Sequence, residues 1–261
     1  MCLPAQSQAQ SRFSFRLAGG LNILDGGDLN TGGEGWFDLW EAGVLYAGIA
    51  TSGDYSAAKL GLNFGGDFIF KFNESMGVGI GAGMLSASKE SVLAYSSLTG
   101  SGVFTHRVKA SAVPLRLGFF YYLPVGSTMN VVFNAGLGYY LAKANYQSII
   151  LGDTVEYDAS GGGLGFHGGL GLEIVLMPNL GILLDLSGRF ASCGGFEGEE
   201  IRYGLTTSGR MYAFDGADPL GTFHVILIAE TKPSGIGVSH TAEAKISFTG
   251  FSFLAGFFFR F

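Results

Sequence analysis

Apolar and polar residues alternate along much of this chain, and the alternation has the period of a β-strand. Between Phe13 and Ile23 the odd positions hold Phe, Phe, Leu, Gly, Leu and Ile, whereas the even positions hold Ser, Arg, Ala, Gly and Asn. Successive side chains of a strand point to opposite faces of the sheet. The segment therefore predicts a strand with one apolar face and one polar or small face.

Seven further segments repeat this alternation, and none of the eight apolar faces carries a charged residue or a Ser, Thr, Asn or Gln. A basic side chain that faces the middle of a bilayer costs roughly 2–4 kcal/mol, so strands that cross a membrane exclude charge from the lipid-facing side. The eight predicted membrane-spanning segments cover residues 13–23, 60–72, 77–84, 113–123, 131–141, 166–176, 180–190 and 251–261.

These segments predict an all-β fold, a transmembrane antiparallel up-and-down β-barrel of eight strands that forms a single domain over residues 12–261. Short and long connections alternate between the segments, as in outer-membrane barrels with short periplasmic turns and long extracellular loops. The alternation places both termini in the periplasm. The four predicted long loops cover residues 25–58, 86–108, 145–164 and 191–245.

The last of these connections contains strand patterns of its own. IRYGLTTSGRMYAF turns at Ser208-Gly209, and the apolar stretch FHVILIAE follows it. We favour two or three strands that project outside the membrane, because no short turn divides this stretch cleanly. The alternative is that two of them join the barrel and make it ten-stranded. An exposed hairpin edge could recruit a partner strand.

Composition favours a membrane barrel over a soluble domain or a helical membrane protein. Charged residues make up 14% of the chain, Gly accounts for 44 of 261 residues, and the mean hydropathy is +0.34. The uncharged run at residues 117–142 contains a turn cluster at residues 124–128 that would break a membrane-spanning helix. The net charge of −6 gives no reason to expect nucleic-acid binding. Residues 1–11 are interpreted as a signal-peptide remnant or a flexible N-terminus, and we expect no disulfide between Cys2 and Cys193.

The polar faces of the predicted strands carry charged residues that would point into the barrel. The interior of an eight-stranded barrel is just wide enough to be filled by side chains, and a buried charge without a partner is costly. We therefore predict a paired charge network that plugs the lumen. Arg260 and His167 lie on the same inward faces. The predicted members of the network are Arg16, Asp67, Lys71, Arg116, Glu173, Asp185 and Arg189.

The end of the chain resembles the C-terminal signal of bacterial outer-membrane barrels. FTGFSFLAGFFFRF places aromatic residues at alternate positions, and VPLRLGFFYYLP and FNAGLGYYLA resemble the paired central strands of small barrels of the OmpA, OmpX and OmpW type. The resemblance covers the strands, about half of the chain. It implies recognition of Phe257, Phe259 and Phe261 by the barrel-assembly machinery, and contact with outer-membrane lipid and lipopolysaccharide. It does not indicate an activity.

The first long loop is acidic and also contains a helical pattern. Six carboxylates, among them Asp25, Asp28 and Glu34, occur with no Lys or Arg between residues 25 and 58. They could hold a hard cation such as Ca²⁺, although the spacing is not that of an EF-hand, and we favour a solvated acidic loop. The helical pattern predicts a short amphipathic helix, which we expect to anchor the loop at the membrane interface; a lid over the barrel mouth is the alternative. The residues at helical spacing are Trp36, Leu39, Trp40, Gly43, Val44 and Ala47.

The function expected from these patterns is that of a non-enzymatic outer-membrane barrel, which acts through its extracellular loops in adhesion, surface stability or partner binding. A narrow channel for small hydrophobic molecules is the alternative that the resemblance to OmpW-type barrels implies, and a lipid-modifying enzyme is a second alternative. The four histidines, His106, His167, His224 and His240, have no nucleophile motif beside them, so no catalytic site is predicted. The sequence identifies no external partner.

Overall fold

The computed structural model of the protein describes residues 12–98, 100–150, 153–202 and 204–261. The predicted signal-peptide remnant therefore lies outside the described residues. The end of the molecule that carries the helix is called the upper end. The elements are β1 (Phe13–Leu24), α1 (Asp28–Tyr46), β2 (Ala50–Ser52), β3 (Leu60–Lys71), β4 (Met76–Ser97), β5 (Gly100–Val125), β6 (Met129–Ile150), β7 (Asp153–Met177), β8 (Leu180–Arg202), β9 (Leu205–Asp218), β10 (Gly221–Ala229), β11 (Val238–Glu243), β12 (Ile246–Ser247) and β13 (Gly250–Arg260).

Eight of these strands form a closed, hydrogen-bonded ring in which every neighbouring pair is antiparallel. The order is β1–β3–β4–β5–β6–β7–β8–β13, and β13 pairs back with β1, for example at Leu17 and Phe257. Each predicted membrane-spanning segment overlaps one ring strand, so the predicted antiparallel β architecture is confirmed. A closed ring leaves no sheet edge whose backbone groups would lack hydrogen bonds in lipid.

The outward face of the ring is formed by large apolar side chains that are exposed. Leu62, Ile80, Leu117 and Phe253 are 50–64% exposed, whereas the inward neighbour Asn63 is only 5% exposed. Soluble monomers rarely expose apolar surface on this scale. We call the outward apolar residues of the eight predicted segments the apolar belt.

Two of the predicted long loops are extensions of the ring strands above the apolar belt. Only residues 98–99 separate β4 from β5, and two residues separate β6 from β7. The outward face of these extensions is polar, as at the exposed Lys109, while the inward face is apolar, as at the fully buried Val108. The sequence pattern required an apolar outward face, so it did not identify the parts of the strands above the apolar belt, where the outward face is polar. The predicted loops at residues 86–108 and 145–164 are therefore wrong.

Above the apolar belt the wall is an open sheet with two edges. β1, β3 and β13 end near this level, and the wall continues in the order β2–β4–β5–β6–β7–β8–β9–β10. β11 pairs with the second half of β9, between Tyr212 and Gly216. The stretch at residues 191–245 thus adds strands to the upper end of β8, and β9 and β10 do not enter the ring as a ten-stranded barrel would require.

Helix α1 lies between the two edges of this open sheet. Trp36 Nε1 donates a hydrogen bond to the Ile226 carbonyl oxygen of β10 at 2.7 Å, and Thr51 Oγ1 of β2 donates to Glu41 Oε1 at 3.0 Å. Phe37 is buried against the inward faces of β4 and β5. The helix therefore closes the barrel mouth as a lid, and the expected membrane anchor is wrong. We call α1, β9, β10 and β11 together the cap.

No helix in the described part of the chain is both long enough and apolar enough to cross a membrane.

Candidate functional site

Side chains from four ring strands meet in a charged network inside the apolar belt. Arg16 of β1 lies 3.8 Å from Glu173 of β7 and 3.5 Å from Asp185 of β8. Arg260 of β13 donates to the second oxygen of Glu173 at 2.7 Å. Glu173 is fully buried and Arg16 is nearly so. Antiparallel pairing therefore brings together charges that lie far apart in the sequence.

The other predicted members of the network make two different kinds of contact. Asp67 and Arg116 form an ion pair at 3.0 Å. Lys71, which we expected to pair with a carboxylate, places its Nζ 3.6 Å from the centre of the Tyr122 ring. The aromatic face takes the place of a counter-ion, because its quadrupole attracts a cation.

Arg189 is held by neutral oxygen atoms. Its guanidinium donates to the Phe248 carbonyl at 2.8 Å, to Ser252 Oγ at 2.6 Å and to Asn22 Oδ1 at 2.9 Å. Among the described residues it forms no salt bridge, so its expected pairing with a carboxylate differs from the structure. With a fourth bond to the Ile23 carbonyl at 3.3 Å, each of the three guanidinium nitrogen atoms has an acceptor, although the side chain is only 6% exposed.

Glycines on the inward faces make room for the charged side chains. A Cβ at Gly81 would lie 2.0 Å from Asp67 Oδ1, and a Cβ at Gly171 would lie 3.2 Å from both Arg16 Nη2 and Asp185 Oδ2. A side chain at Gly81 would force the Asp67 carboxylate to move, and one at Gly171 would crowd Arg16 and Asp185. The glycine-rich inner faces seen in the sequence therefore have a steric role.

The lumen is filled at three levels. A cavity of about 60 Å³ lies among the ion pairs and Arg189. Above it, the rings of Tyr140 and Phe248 stack at 6.5 Å and belong to an apolar core that continues up to the cap. Below it lies an apolar floor of side chains that are at most 4% exposed. The floor consists of Ile69, Phe120, Tyr122 and Val132.

A second, smaller cavity of about 40 Å³ lies between α1 and the wall. The Tyr146 and Tyr157 rings stack at 5.2 Å beside it, and burial raises the pKa of both phenols, so they stay neutral. Arg202 donates to the Tyr157 hydroxyl at 3.1 Å. Sequence reasoning missed this cluster, because most of its residues lie in the predicted loops. The cavity is lined by Trp36, Trp40, Tyr146, Ser148, Val155, Tyr157 and Arg202.

His106 is sealed beneath the lid helix. Its Nδ1 lies 3.0 Å from the Tyr146 hydroxyl and 3.3 Å from Ser148 Oγ, and its ring packs edge-on against Phe37. Burial lowers the pKa of His106 to about 4. The described residues give this histidine no carboxylate partner and no exposed face, so the neutral imidazole is a packing element of the upper core.

Two other histidines share one carboxylate on the cap. His224 Nδ1 and His240 Nδ1 each lie 2.8 Å from a different oxygen of Asp215. These two hydrogen bonds hold the pKa of Asp215 below its usual range. Neither histidine makes a described hydrogen bond to a serine, threonine or cysteine, so this cluster lacks the nucleophile of a hydrolytic triad.

The carboxylates predicted as a calcium site are not brought together. Asp28 at the start of α1 accepts a hydrogen bond from the Lys245 backbone nitrogen at 2.7 Å, and Asp25 and Glu34 are exposed. Within the described ranges, no group of three or more His, Cys, Asp or Glu side chains is placed to hold a metal ion. The helix separates these residues because it replaces the flexible loop that a shared site would need.

The residues predicted as an assembly signal lie at the closing seam of the ring. Phe257 and Phe259 face outward on β13, and Phe261 follows its last residue. The Phe261 backbone nitrogen donates to the Phe13 carbonyl at 3.0 Å, and the Phe13 backbone nitrogen donates to the Phe261 carbonyl at 3.1 Å. The end of the chain thus completes the pairing of β13 with β1.

Comparison with known proteins gives no family for this chain. No protein-family model matches the sequence, and no curated relative matches it. Two solved structures are similar to it over nearly their whole length. The outer membrane protein OprG from Pseudomonas aeruginosa is 13% identical, with 97% of this chain and 98% of that chain covered and a TM-score of 0.44. The outer membrane protease OmpT from Escherichia coli is 8% identical, with 99% of each chain covered and a TM-score of 0.48. Similarity at this level carries no argument about activity, so the function has to be inferred from the geometry of the chain itself.

Proposed function

We propose that the protein is a small bacterial outer-membrane β-barrel of the OmpA, OmpX and OmpW type, which acts through the outer surface of its cap and not as a channel or an enzyme. The apolar belt supports the membrane location, because a closed ring with exposed apolar side chains is stable only where lipid covers them. Both termini then lie in the periplasm and the cap lies outside the cell.

The closed lumen is the observation that carries this proposal. A solute would have to pass the floor around Phe120, the ion pairs of Glu173 and the apolar core below α1. The cavity of about 60 Å³ between these levels accommodates only a few water molecules. Each level is packed, so a continuous path would require several side chains and the lid helix to move together.

The surface of the cap carries apolar side chains that suit adhesion or partner binding. Tyr46 at the end of α1 is 82% exposed, Leu205 at the start of β9 is 74% exposed, and Ile236 before β11 is fully exposed. Leu205 and Ile236 lie near opposite ends of β9, so the three residues are separate exposed positions and not one patch. Each of them is replaced singly in a search for the partner.

Conductance in planar bilayers tests the proposal directly. We expect the refolded barrel to insert and to show no steady ion conductance, and liposomes that contain it to take up small hydrophobic solutes no faster than empty liposomes. The double variant Phe120→Ala/Tyr122→Ala, which empties only the floor, should also show no steady conductance, because the ion pairs and the apolar core above the floor remain packed. A stable conductance or solute uptake by the unmodified barrel would refute the closed lumen and favour the channel. Release of fatty acid from added lipid would favour the enzyme.

A further inference from the structure

The cavity of about 60 Å³ inside the apolar belt has more basic than acidic side chains in its lining. The charged lining residues are three arginines, Arg16, Arg116 and Arg189, and two aspartates, Asp67 and Asp185. With these groups ionised, the lining carries one positive charge in excess. The apolar floor below the cavity and the apolar core above it exclude the water that would otherwise screen this charge.

The nearest carboxylate outside the lining does not remove the excess charge. Glu173 lies 3.8 Å from Arg16, but its second oxygen accepts a shorter hydrogen bond from Arg260, at 2.7 Å. Lys71 is a further inward cation, and it lies against the Tyr122 ring. Glu173 therefore enters the network together with a cation of its own, and the lumen stays positive.

Two side chains in the lining also have buried nitrogen atoms without a hydrogen bond. Arg16 is 3% exposed, and neither its Nε nor its Nη2 makes a hydrogen bond to any described residue. Its contacts to Glu173 and Asp185 are ion pairs at 3.8 and 3.5 Å, which are longer than hydrogen bonds. His167 Nδ1 is likewise buried without a partner among the described residues. Excess positive charge and unused nitrogen atoms thus occur together around one cavity.

We propose that this cavity binds one monovalent anion of the size of chloride. A single negative charge balances the lining, whereas a divalent anion such as sulfate would reverse its sign. A chloride ion is only slightly larger than a water molecule, and the cavity has room for a few waters. Arginine N–H groups are strong donors to an anion, because both partners are charged. Since the lumen is packed above and below, the ion is captured as the barrel folds and is then retained.

His167 is the position at which a carboxylate of the chain can replace the ion. It lies directly opposite Arg189 in the register of β7 and β8, and both side chains line the cavity. Side chains that are directly opposite on one face have Cβ atoms about 4.5–5.5 Å apart. His167→Glu therefore places a negative charge beside Arg189 within the cavity. His167→Gln is the matched control, because glutamine has the size of glutamate and no charge.

Bromide tests the occupancy of the cavity, because it resembles chloride and is measured by elemental mass spectrometry. Each barrel is refolded in sodium bromide, transferred into sodium gluconate, and analysed for bromine before and after unfolding in urea. We expect the wild type and His167→Gln to retain bromide in an equimolar amount and to release it on unfolding. His167→Glu should retain none, since its own carboxylate neutralises the lining.

The dependence of stability on chloride tests whether the ion contributes to the fold. Urea unfolding is measured in chloride and in gluconate at equal ionic strength, and gluconate is too large for the cavity. An ion that binds only the folded barrel stabilises it by mass action, so above saturation a tenfold rise in chloride should lower the unfolding equilibrium constant about tenfold. We expect this response in the wild type and in His167→Gln, and no response in His167→Glu.

The results separate the anion site from the closed lumen on which it rests. Absence of bromide from the wild type, with equal unfolding in the two salts, overturns the anion site. Equal responses of all three barrels overturn it too, because the anion would then bind elsewhere. If His167→Glu does not refold, the bromide content of the wild type still decides. Conductance in planar bilayers tests the lumen alone, so a barrel that neither conducts nor retains bromide keeps the proposed function and loses the anion site.

Discussion

The ion pairs of this barrel differ most in their exposure to water. The side chains of Arg16 and Glu173 are 3% and 0% exposed, whereas those of Arg107 and Glu90 on the outer wall are 55% and 44% exposed. Exposed pairs contribute about 0–1 kcal/mol, because water and salt screen them. Removal of one partner from a buried pair typically costs about 3–5 kcal/mol, since the remaining charge is left without compensation.

Glu173→Ala should therefore be far more damaging than Glu90→Ala. The first change leaves the buried Arg16 without its contact to Glu173 and also removes the partner of Arg260, so we expect the free energy of unfolding to fall by about 3 kcal/mol or more. The second change should cost less than about 1 kcal/mol. Urea unfolding in detergent micelles measures both. Equal losses would mean that the lumen is hydrated enough to screen its charges.

His106 should make stability depend on pH. Burial lowers its pKa to about 4 from an ordinary 6.5, so between these values the unfolded chain binds a proton that the native state does not. Stability is therefore complete above about pH 6.5 and falls as the pH drops toward 4, by up to about 3 kcal/mol from this group. Unfolding free energies across this range should show a smaller slope for His106→Gln than for the wild type.

The control for this experiment is His240→Gln at a cap position that is 82% exposed. This variant should keep the slope of the wild type in the same pH range. An unchanged slope in His106→Gln would show that other groups cause the loss of stability in acid.

Sequence reasoning predicts which side chains face the lumen but not which ones meet. The parity of each strand placed Lys71, Arg189 and the carboxylates on the inward face, and the structure has them there. The choice of partner depends on the register between neighbouring strands. The register places Lys71 beside the Tyr122 ring and Arg189 beside Ser252. The alternation within each strand gives no information about the register between strands.

At the scale of elements, the sequence signal is strong where lipid covers the strand and fails above it. The upper parts of β4 to β8 keep their alternation with the polarity reversed, so that apolar residues face inward. A search for either polarity would have extended these strands. The position of α1 could not be predicted in that way, because it depends on the gap that the ends of β1, β3 and β13 leave in the wall.

Glycines in α1 allow the helix to approach the edge of β10. A Cβ at Gly35 would lie 1.7 Å from the His224 carbonyl oxygen, whereas a Cβ at Gly43 would have only Leu220 within 4 Å, at an ordinary 3.9 Å. A glycine within a helix costs about 1 kcal/mol relative to alanine. The close packing at Gly35 therefore explains a residue that the helix itself disfavours.

Gly35→Ala should displace the lid helix, and Gly43→Ala should not. We expect the first change to destabilise the cap by about 1–3 kcal/mol through overpacking and to break the bond from Trp36 to Ile226. The second should stabilise the helix by up to about 1 kcal/mol. Both tryptophans of the chain, Trp36 and Trp40, lie on α1, so intrinsic fluorescence reports on this helix alone. A red shift in both variants, or in neither, would contradict the packing argument.

At the scale of the whole molecule, the sheet has an apolar outer face along the apolar belt and a polar outer face above it. Inside the apolar belt the exterior is apolar and the interior holds ion pairs, as at Glu173. Above the belt the exterior carries charges such as Lys109, and the interior is an apolar core around Tyr146. The reversal follows from the medium around each part of the wall. Lipid around the belt favours apolar outward side chains, and water above the belt favours polar ones. It predicts where the membrane boundary lies, and therefore which turns are accessible from each side.

Single cysteines in the exposed turns test this placement, in a background without Cys2 and Cys193. Leu98→Cys and Ile236→Cys lie at the upper end, and Ser127→Cys and Asn179→Cys lie in the turns at the opposite end; all four positions are exposed to solvent. Only the membrane can then make them react differently. A membrane-impermeant maleimide should label the first two on intact cells, and should label the other two only after the outer membrane is permeabilised.

A separate chain that keeps Cys193 and lacks only Cys2 provides the control for the labelling. Cys193 is fully buried, and burial raises its pKa to about 11, so it should stay unlabelled on the folded barrel in either condition. Labelling of Cys193 would therefore indicate unfolded protein and not topology. If Cys193 stays unlabelled, the labelling pattern reports topology. The orientation would be the reverse, with the cap in the periplasm, if intact cells were labelled at Ser127→Cys and Asn179→Cys but not at Leu98→Cys and Ile236→Cys. Equal labelling of all four would place the chain outside a membrane, and the apolar belt would then need a protein partner to cover it.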